Sequence, residues 1–127
     1  AKGETVDELQ GVVEAMRHLM TPVSTSFPVL DIVGTGGDGA HTLNISTASA
    51  ILAASCGVKV AKHGNRSVSS LSGSADVLEK LGIGIHQSPE QVLCCIEQLG
   101  IGFMFAPDFH PALKHLKEVR KGLNIRT

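Results

Sequence analysis

At 127 residues, 43% hydrophobic and 18% charged, the chain has the size and balance of about one globular domain able to bury a core. A formal net charge of −1 argues against broad binding of nucleic acid or anionic membrane, both of which need an excess of Lys and Arg, so an anion site has to be local. No apolar run approaches the ~20 residues of a membrane span, and Ala1 to Gln10 is too polar for a signal peptide. Cys56, Cys94 and Cys95 form neither an even framework nor a zinc-ligand spacing; they are expected as buried, reduced thiols of a cytoplasmic protein.

Thr5-Val6-Asp7-Glu8 is a capping box, after which Val6, Leu9, Val13, Met16 and Met20 recur at helical spacing. That helix is expected to stop near Met20, ahead of Thr21-Pro22. Its apolar stripe has no helical partner nearby in sequence. Thr21 to Pro28, with two prolines, reads as a linker.

From Val29 the pattern alternates. Val29 to Val33 is expected as a strand, Ile45 to Cys56 as a small-residue helix closed by Gly57, and Val58 to Ala61 as the next strand. Ser74 to Leu81 is a short helix capped by Gly82, and Ile83 to Ile85 a candidate short strand. Ser88-Pro89-Glu90-Gln91 opens a further helix that ends at Gly100. Ile101 to Ala106 is then a strand and Pro111 to Lys121 a helix. This order predicts an α/β fold with a mostly parallel sheet flanked by helices, and ligands outside the carboxyl ends of the strands.

Two loops fall at those ends. In Gly34-Thr35-Gly36-Gly37-Asp38-Gly39 the glycines allow close backbone approach to an anion. Asn44-Ile45-Ser46-Thr47 then opens a helix whose free N–H groups and positive dipole end favour a phosphate. Ser46 and Thr47 add hydroxyls for a phosphate or a bound magnesium. The spacing matches neither the P-loop nor the dinucleotide fingerprint, and an ordinary glycine turn with Asn44 as helix cap is the plain alternative.

The second loop, Lys62-His63-Gly64-Asn65-Arg66-Ser67, supplies a point charge in Lys62 and a planar fork in Arg66. Ser67, Ser69, Ser70, Ser72 and Ser74 follow as a hydroxyl-rich bend. Its plain alternative is a solvated serine loop. His63 and His110 read most simply as packing or loop residues, and Asp76 and Glu79 as first-turn carboxylates of a helix. No catalytic triad or carboxylate pair at acid/base spacing stands out. That suits a reaction driven by positioning a charged leaving group.

On these residues the chain resembles the anthranilate phosphoribosyltransferase family. The matching pieces are Asp31-Ile32-Val33-Gly34-Thr35-Gly36-Gly37-Asp38, Asn44-Ile45-Ser46-Thr47, Lys62-His63-Gly64-Asn65-Arg66-Ser67-Val68-Ser69-Ser70 and Gly73-Ser74-Ala75-Asp76-Val77-Leu78-Glu79. Phe105-Ala106-Pro107, His110-Pro111-Ala112 and Val119-Arg120 add to the match, which runs through essentially the whole chain.

The resemblance implies transfer of phosphoribose from phosphoribosyl diphosphate to the amine of anthranilate in tryptophan biosynthesis, with magnesium. It assigns the diphosphate sugar to Gly34, Gly37, Asp38, Thr42, Asn44, Ile45, Ser46, Thr47, Lys62, His63, Gly64, Asn65, Arg66, Ser67, Val68, Ser69, Ser70 and Ser74. Anthranilate falls to Gly34, Asn65 and Arg120, with His63 and the His110-Pro111-Ala112 turn lining its approach, and magnesium to Ser46. No residue is implied to be catalytic beyond these binding groups. Residues 1–22 would belong to a helical domain that pairs subunits into a homodimer, 23–28 to a hinge, and 29–127 to an incomplete α/β domain. Members of the family continue past Arg126-Thr127 and carry there an Asp-Glu pair for magnesium, so the expectation is a central section of a longer enzyme. A pyrimidine-nucleoside phosphorylase and a non-catalytic phosphate- or nucleic-acid-binding module are the competing readings. Against the first stand Asn44 to Thr47 and Lys62 to Arg66. Against nucleic acid stand the net charge and the absence of Trp and Tyr.

Overall fold

The computed structural model describes residues 3–34, 43–67, 72–114, 116, 119, 122 and 123. Helix α1 (Val6–Leu19) begins at the capping box: the Glu8 amide donates to Thr5 Oγ1 at 3.3 Å, and the Thr5 amide to Glu8 Oε2 at 3.0 Å. It ends at Met20, as the following Thr21-Pro22 requires, and buries none of its residues. Val6, Leu9, Val12 and Val13 stay exposed along its stripe. No helix among the described residues is long and apolar enough to cross a membrane.

Residues 21–28 contain no helix or strand but are held in place. The Thr21 amide donates to Phe109 O at 2.9 Å, and Val23 and Phe27 pack against the core.

Strands β1 (Val60–Gly64) and β2 (Ile101–Phe105) pair in parallel, Val60 opposite Ile101 through Gly64 opposite Phe105. Strand β1 starts two residues later than expected because the Val58 amide still bonds Ala53 O at the end of helix α2 (Ile45–Ser55). Among the described residues the expected strand at Val29 to Val33 pairs only through a parallel bridge of Leu30 to Val60. The ladder stops there because the next backbone groups find side-chain partners: Lys62 Nζ takes Ile32 O, and Asp31 takes the His63 amide.

Alternation along β1 and β2 sends neighbouring residues to opposite faces. On one face Ala61 and Met104 pack with Phe109 of helix α5 (Ala106–Phe109) and with Val92 and Ile96 of helix α4 (Pro89–Leu99). On the other, Phe103 and Phe105 pack with Ile85 and with Ala75 and Leu78 of helix α3 (Ser74–Lys80). Gly57, Gly82 and Gly100 follow α2, α3 and α4 in the left-handed region, the conformation expected of Gly57, and close the helices where Gly82 and Gly100 are expected to.

Three expectations need correction. Ile83 to Ile85 is not a strand; the Ile83 amide bonds Leu78 O at the end of α3, and Ile85 plugs the core. The described start of the Pro111 to Lys121 helix is a 3-10 turn (Pro111–Lys114), preceded by α5, which begins on the Ala106-Pro107 step. The thiols are free, but Cys56 and Cys94 are exposed and Cys95 is half-buried.

Candidate functional site

The carboxyl end of β1 meets the amino ends of α2 and α3. Lys62 is buried, at 1% exposure, and its Nζ donates to Ile32 O at 2.8 Å and to Ser46 Oγ at 3.2 Å. The Ser46 hydroxyl donates to Asn44 Oδ1 at 3.1 Å, which also accepts the Thr47 amide at 2.9 Å and so caps α2. The Asn44 amide group donates to Ser72 O and faces Ser74 Oγ at 3.5 Å. A polarised chain therefore runs from the lysine through two side chains to the start of α3.

Burial lowers the Lys62 pKa, and the charge of Asp31 opposes that shift only in part. One residue beyond Ser46, the Thr47 hydroxyl is buried with no hydrogen-bond partner among the described residues. A dry ammonium, an orphan hydroxyl and the positive end of the α2 dipole suit an anion with several oxygens.

Gly64 closes β1 where nothing larger fits. A Cβ there would lie 2.8 Å from Phe103 Cζ and 2.9 Å from Ser74 Cβ. Gly64→Ala is therefore expected to destabilise the fold by about 1–3 kcal/mol through overpacking, seen as a lower unfolding midpoint in urea with an unchanged slope.

The structure gives Arg66 a partner that sequence reasoning missed. Its guanidinium grips Glu79 through both terminal nitrogens, lies 3.4 Å from Asp76 Oδ1 and sits 5.7 Å over the Phe105 ring. Hydrogen bonds from Arg66 hold the Glu79 carboxyl below the usual carboxylate range, and those to Glu79 raise the guanidinium pKa. Glu79 thus lies in the second half of α3, not its first turn, and the Arg66 fork is engaged within the chain.

Asp76 is in the first turn and accepts the Ser67 amide at 2.9 Å, tying the loop to the helix. Asp76→Ala is expected to speed hydrogen exchange of the Ser67 amide about tenfold or more, since the bond to an ionised acceptor is lost. Exchange at the wild-type rate would show that the carboxylate does not hold the loop.

Two histidines lie at the same sheet edge. His63 is paired with Asp31, its Nδ1 3.0 Å from Oδ2, and its ring is 5.7 Å from that of His110. Burial, helped by nearby His63, lowers the His110 pKa. Asn65 stands in the loop with its Oδ1 accepting the Arg66 amide at 2.8 Å. Gly34 faces the site, a Cβ on it lying 3.3 Å from Ser46 Oγ.

Of the expected site residues, Gly34, Asn44, Ile45, Ser46, Thr47, Lys62, Gly64 and Ser74 gather around this junction. His63, Asn65, Arg66 and Ser67 continue from it along the strand end and loop. Gly37, Asp38, Thr42, Val68, Ser69, Ser70 and Arg120 lie outside the described residues.

A magnesium ion takes oxygen ligands, commonly one or two carboxylates with substrate phosphates and water. No group of three or more His, Cys, Asp or Glu is arranged for a metal among the described residues. Ser46 fits as one oxygen ligand: its proton goes to Asn44 and one lone pair to Lys62, which leaves the second lone pair.

Residues 26–127 match the family model described as "Glycosyl transferase family, a/b domain". Anthranilate phosphoribosyltransferase of Chlamydia caviae is 63% identical over 124 residues, covering 98% of this chain and 36% of that protein. The crystal structure of anthranilate phosphoribosyltransferase from Thermus thermophilus superposes with a TM-score of 0.87 at 50% identity, over 99% of this chain and 39% of that one. The Saccharomyces cerevisiae enzyme in complex with PRPP and Mg matches with a TM-score of 0.81 at 35% identity, over 95% of this chain and 34% of that one. The chain thus spans little more than a third of the length of these relatives. With that sequence match and the parallel sheet beneath it, the chain belongs to the glycosyl transferase family whose a/b-domain model its residues 26–127 match.

Proposed function

We propose that the chain is the central section of an anthranilate phosphoribosyltransferase, moving phosphoribose from phosphoribosyl diphosphate to the amine of anthranilate. The observation that carries this reading is the junction of buried Lys62, its hydrogen-bonded Ser46 and Asn44, and the partnerless Thr47 hydroxyl at the start of α2. Those are groups for a polyanionic leaving group. The yeast relative holds PRPP and Mg, which supports the same ligand class here.

On this reading the diphosphate sugar contacts Gly34, Gly37, Asp38, Thr42, Asn44, Ile45, Ser46, Thr47, Lys62, His63, Gly64, Asn65, Ser67, Val68, Ser69, Ser70 and Ser74. Arg66 takes part by fixing the loop through Glu79 and Asp76. Asn65, Arg120 and Gly34 receive anthranilate; a guanidinium matches its carboxylate. Ser46 would hold magnesium, which when bound supplies positive charge to the departing diphosphate. Lys62 adds a cation to the same oxygens, and the loops keep amine and anomeric carbon in reach, which can supply up to ~7–11 kcal/mol of the barrier. Residues 1–22 are part of a helical domain that pairs subunits of a cytoplasmic homodimer, consistent with the exposed stripe of α1; 23–28 form the hinge and 29–127 an incomplete α/β domain.

The test is an assay of the complete enzyme with both substrates and magnesium. Loss of anthranilate fluorescence that depends on phosphoribosyl diphosphate is the expected result. Cleavage of thymidine by phosphate instead would overturn it.

A further inference from the structure

The stretch just past β1 is held against the start of α3. The Ala75 amide donates to Asn65 O at 3.2 Å and the Ser67 amide to Asp76 Oδ2 at 2.9 Å, while a Cβ on Gly73 would lie 2.7 Å from Arg66 C. The long side chain in this stretch is held as well. Arg66 lies over Phe105, the last residue of β2, and gives both terminal nitrogens to Glu79, with Asp76 Oδ1 3.4 Å away. Two carboxylates against one guanidinium leave that cation little charge to offer an incoming anion.

A fixed Arg66 side chain also fixes the Arg66 amide, which donates to Asn65 Oδ1 at 2.8 Å. A carboxamide has one oxygen and two N–H donors. With its oxygen turned back onto the chain, Asn65 keeps Nδ2 as its uncommitted end, since no described residue takes those hydrogens. The residue itself is exposed, directly after the carboxyl end of β1. Such a donor suits phosphate, hydroxyl and carboxylate oxygens. It does not suit an amine about to attack, whose lone pair it would occupy.

Resting on the phosphoribosyl-transfer reading, we propose that Glu79 is a positioning residue: by gripping Arg66 it fixes the Asn65 carboxamide as a hydrogen-bond donor to a substrate oxygen. Glu79 itself touches no substrate. Contact runs from its carboxylate to the guanidinium, along Arg66 to its amide, and from there to Asn65 Oδ1. Arg66 serves as a strut rather than an anion ligand, which leaves the anion to Lys62.

Double substitutions in the complete enzyme test this. Glu79→Ala is expected to lower kcat/KM for phosphoribosyl diphosphate about tenfold, a part of what a 1 Å misplacement can cost. Its urea midpoint should stay close to wild type, because a half-exposed ion pair adds little to stability. In an Asn65→Ala background the same change should cost less than about a further twofold, since the group it positions is gone. A merely structural glutamate would cost about tenfold in either background. Exchanging the charges, Arg66→Glu with Glu79→Arg, should recover kcat/KM to within about fivefold of wild type, whereas Arg66→Glu alone should lose about 100-fold. Asn65→Asp keeps an oxygen for the Arg66 amide but has no hydrogen to give, so it should be as impaired as Asn65→Ala. Full additivity of Glu79→Ala with Asn65→Ala overturns the proposal, as does a charge exchange that recovers nothing or an Asn65→Asp enzyme near wild-type activity. An unsubstituted enzyme that transfers nothing to anthranilate overturns the transfer reading itself, a result distinct from any of these.

Discussion

Lys62→Met is expected to cost the complete enzyme about 1,000-fold in kcat/KM for phosphoribosyl diphosphate while leaving the KM for anthranilate nearly unchanged. Removing one preorganised donor from a developing anion costs ~10²–10³ in kcat, and Lys62 carries a full charge held dry against Ser46. Met preserves the length of the stem, so the core around Phe103 is not opened.

The substitution has a second, opposite effect on the ligand-free protein. A lysine whose pKa is lowered by folding binds its proton more weakly than in the unfolded chain. It therefore costs stability at neutral pH, and that cost fades as pH rises from the lowered value through the ordinary 10.5. Lys62→Met also leaves Ile32 O and Ser46 Oγ without their donor, so the readable effect is the trend with pH: wild type should gain on the variant as pH rises toward 10.5. A bound diphosphate reverses the shift, so its binding should take up protons in that window for wild type and not for the variant. Steady-state kinetics with each substrate varied, beside urea unfolding over pH, measure both parts. Equal losses on the two substrates would remove Lys62 from the leaving-group side.

What could be read from the sequence divides by range. Both capping boxes and the three left-handed glycines are local devices whose partners lie within a few residues, and each forms where its residues stand. The glycine and lysine loops were visible for the same reason, since their composition is itself the signal. Strand limits were less legible: Val58 and Ile83 look like strand residues, yet their amides are claimed by the preceding helices at Ala53 and Leu78.

The long-range pairs left no local trace. Nothing in the sequence distinguishes Glu79 from any helix-surface glutamate, yet it holds Arg66 from 13 residues away. Asp31, one carboxylate in an apolar run, becomes the support of His63 only when the fold lays the two segments side by side. The Ser46 to Lys62 bond likewise needs α2 to land beside β1. Sequence located the chemistry; the fold chose which side chains share it.

Asn44→Ala is expected to lower kcat/KM for phosphoribosyl diphosphate by about 100-fold or more, even though Asn44 carries no charge. Its oxygen caps α2 through the Thr47 amide and orients the Ser46 hydroxyl, while its nitrogen ties that helix to Ser72 at the start of α3. Loss of an N-cap alone costs ~0.5–2 kcal/mol of stability, and an effect of that kind should return when the variant is assayed well below its unfolding temperature. The larger loss comes from releasing the two helix starts and the hydroxyl that face the same anion, because misplacement of about 1 Å can cost 10²-fold. Asn44→Asp separates the two effects: the carboxylate still caps α2, but it cannot donate to Ser72 and adds negative charge where an anion is to bind. If the cap were all that mattered, Asn44→Asp would restore activity. On the present geometry it restores thermal stability and leaves the diphosphate-sugar defect as large as that of Asn44→Ala, or larger.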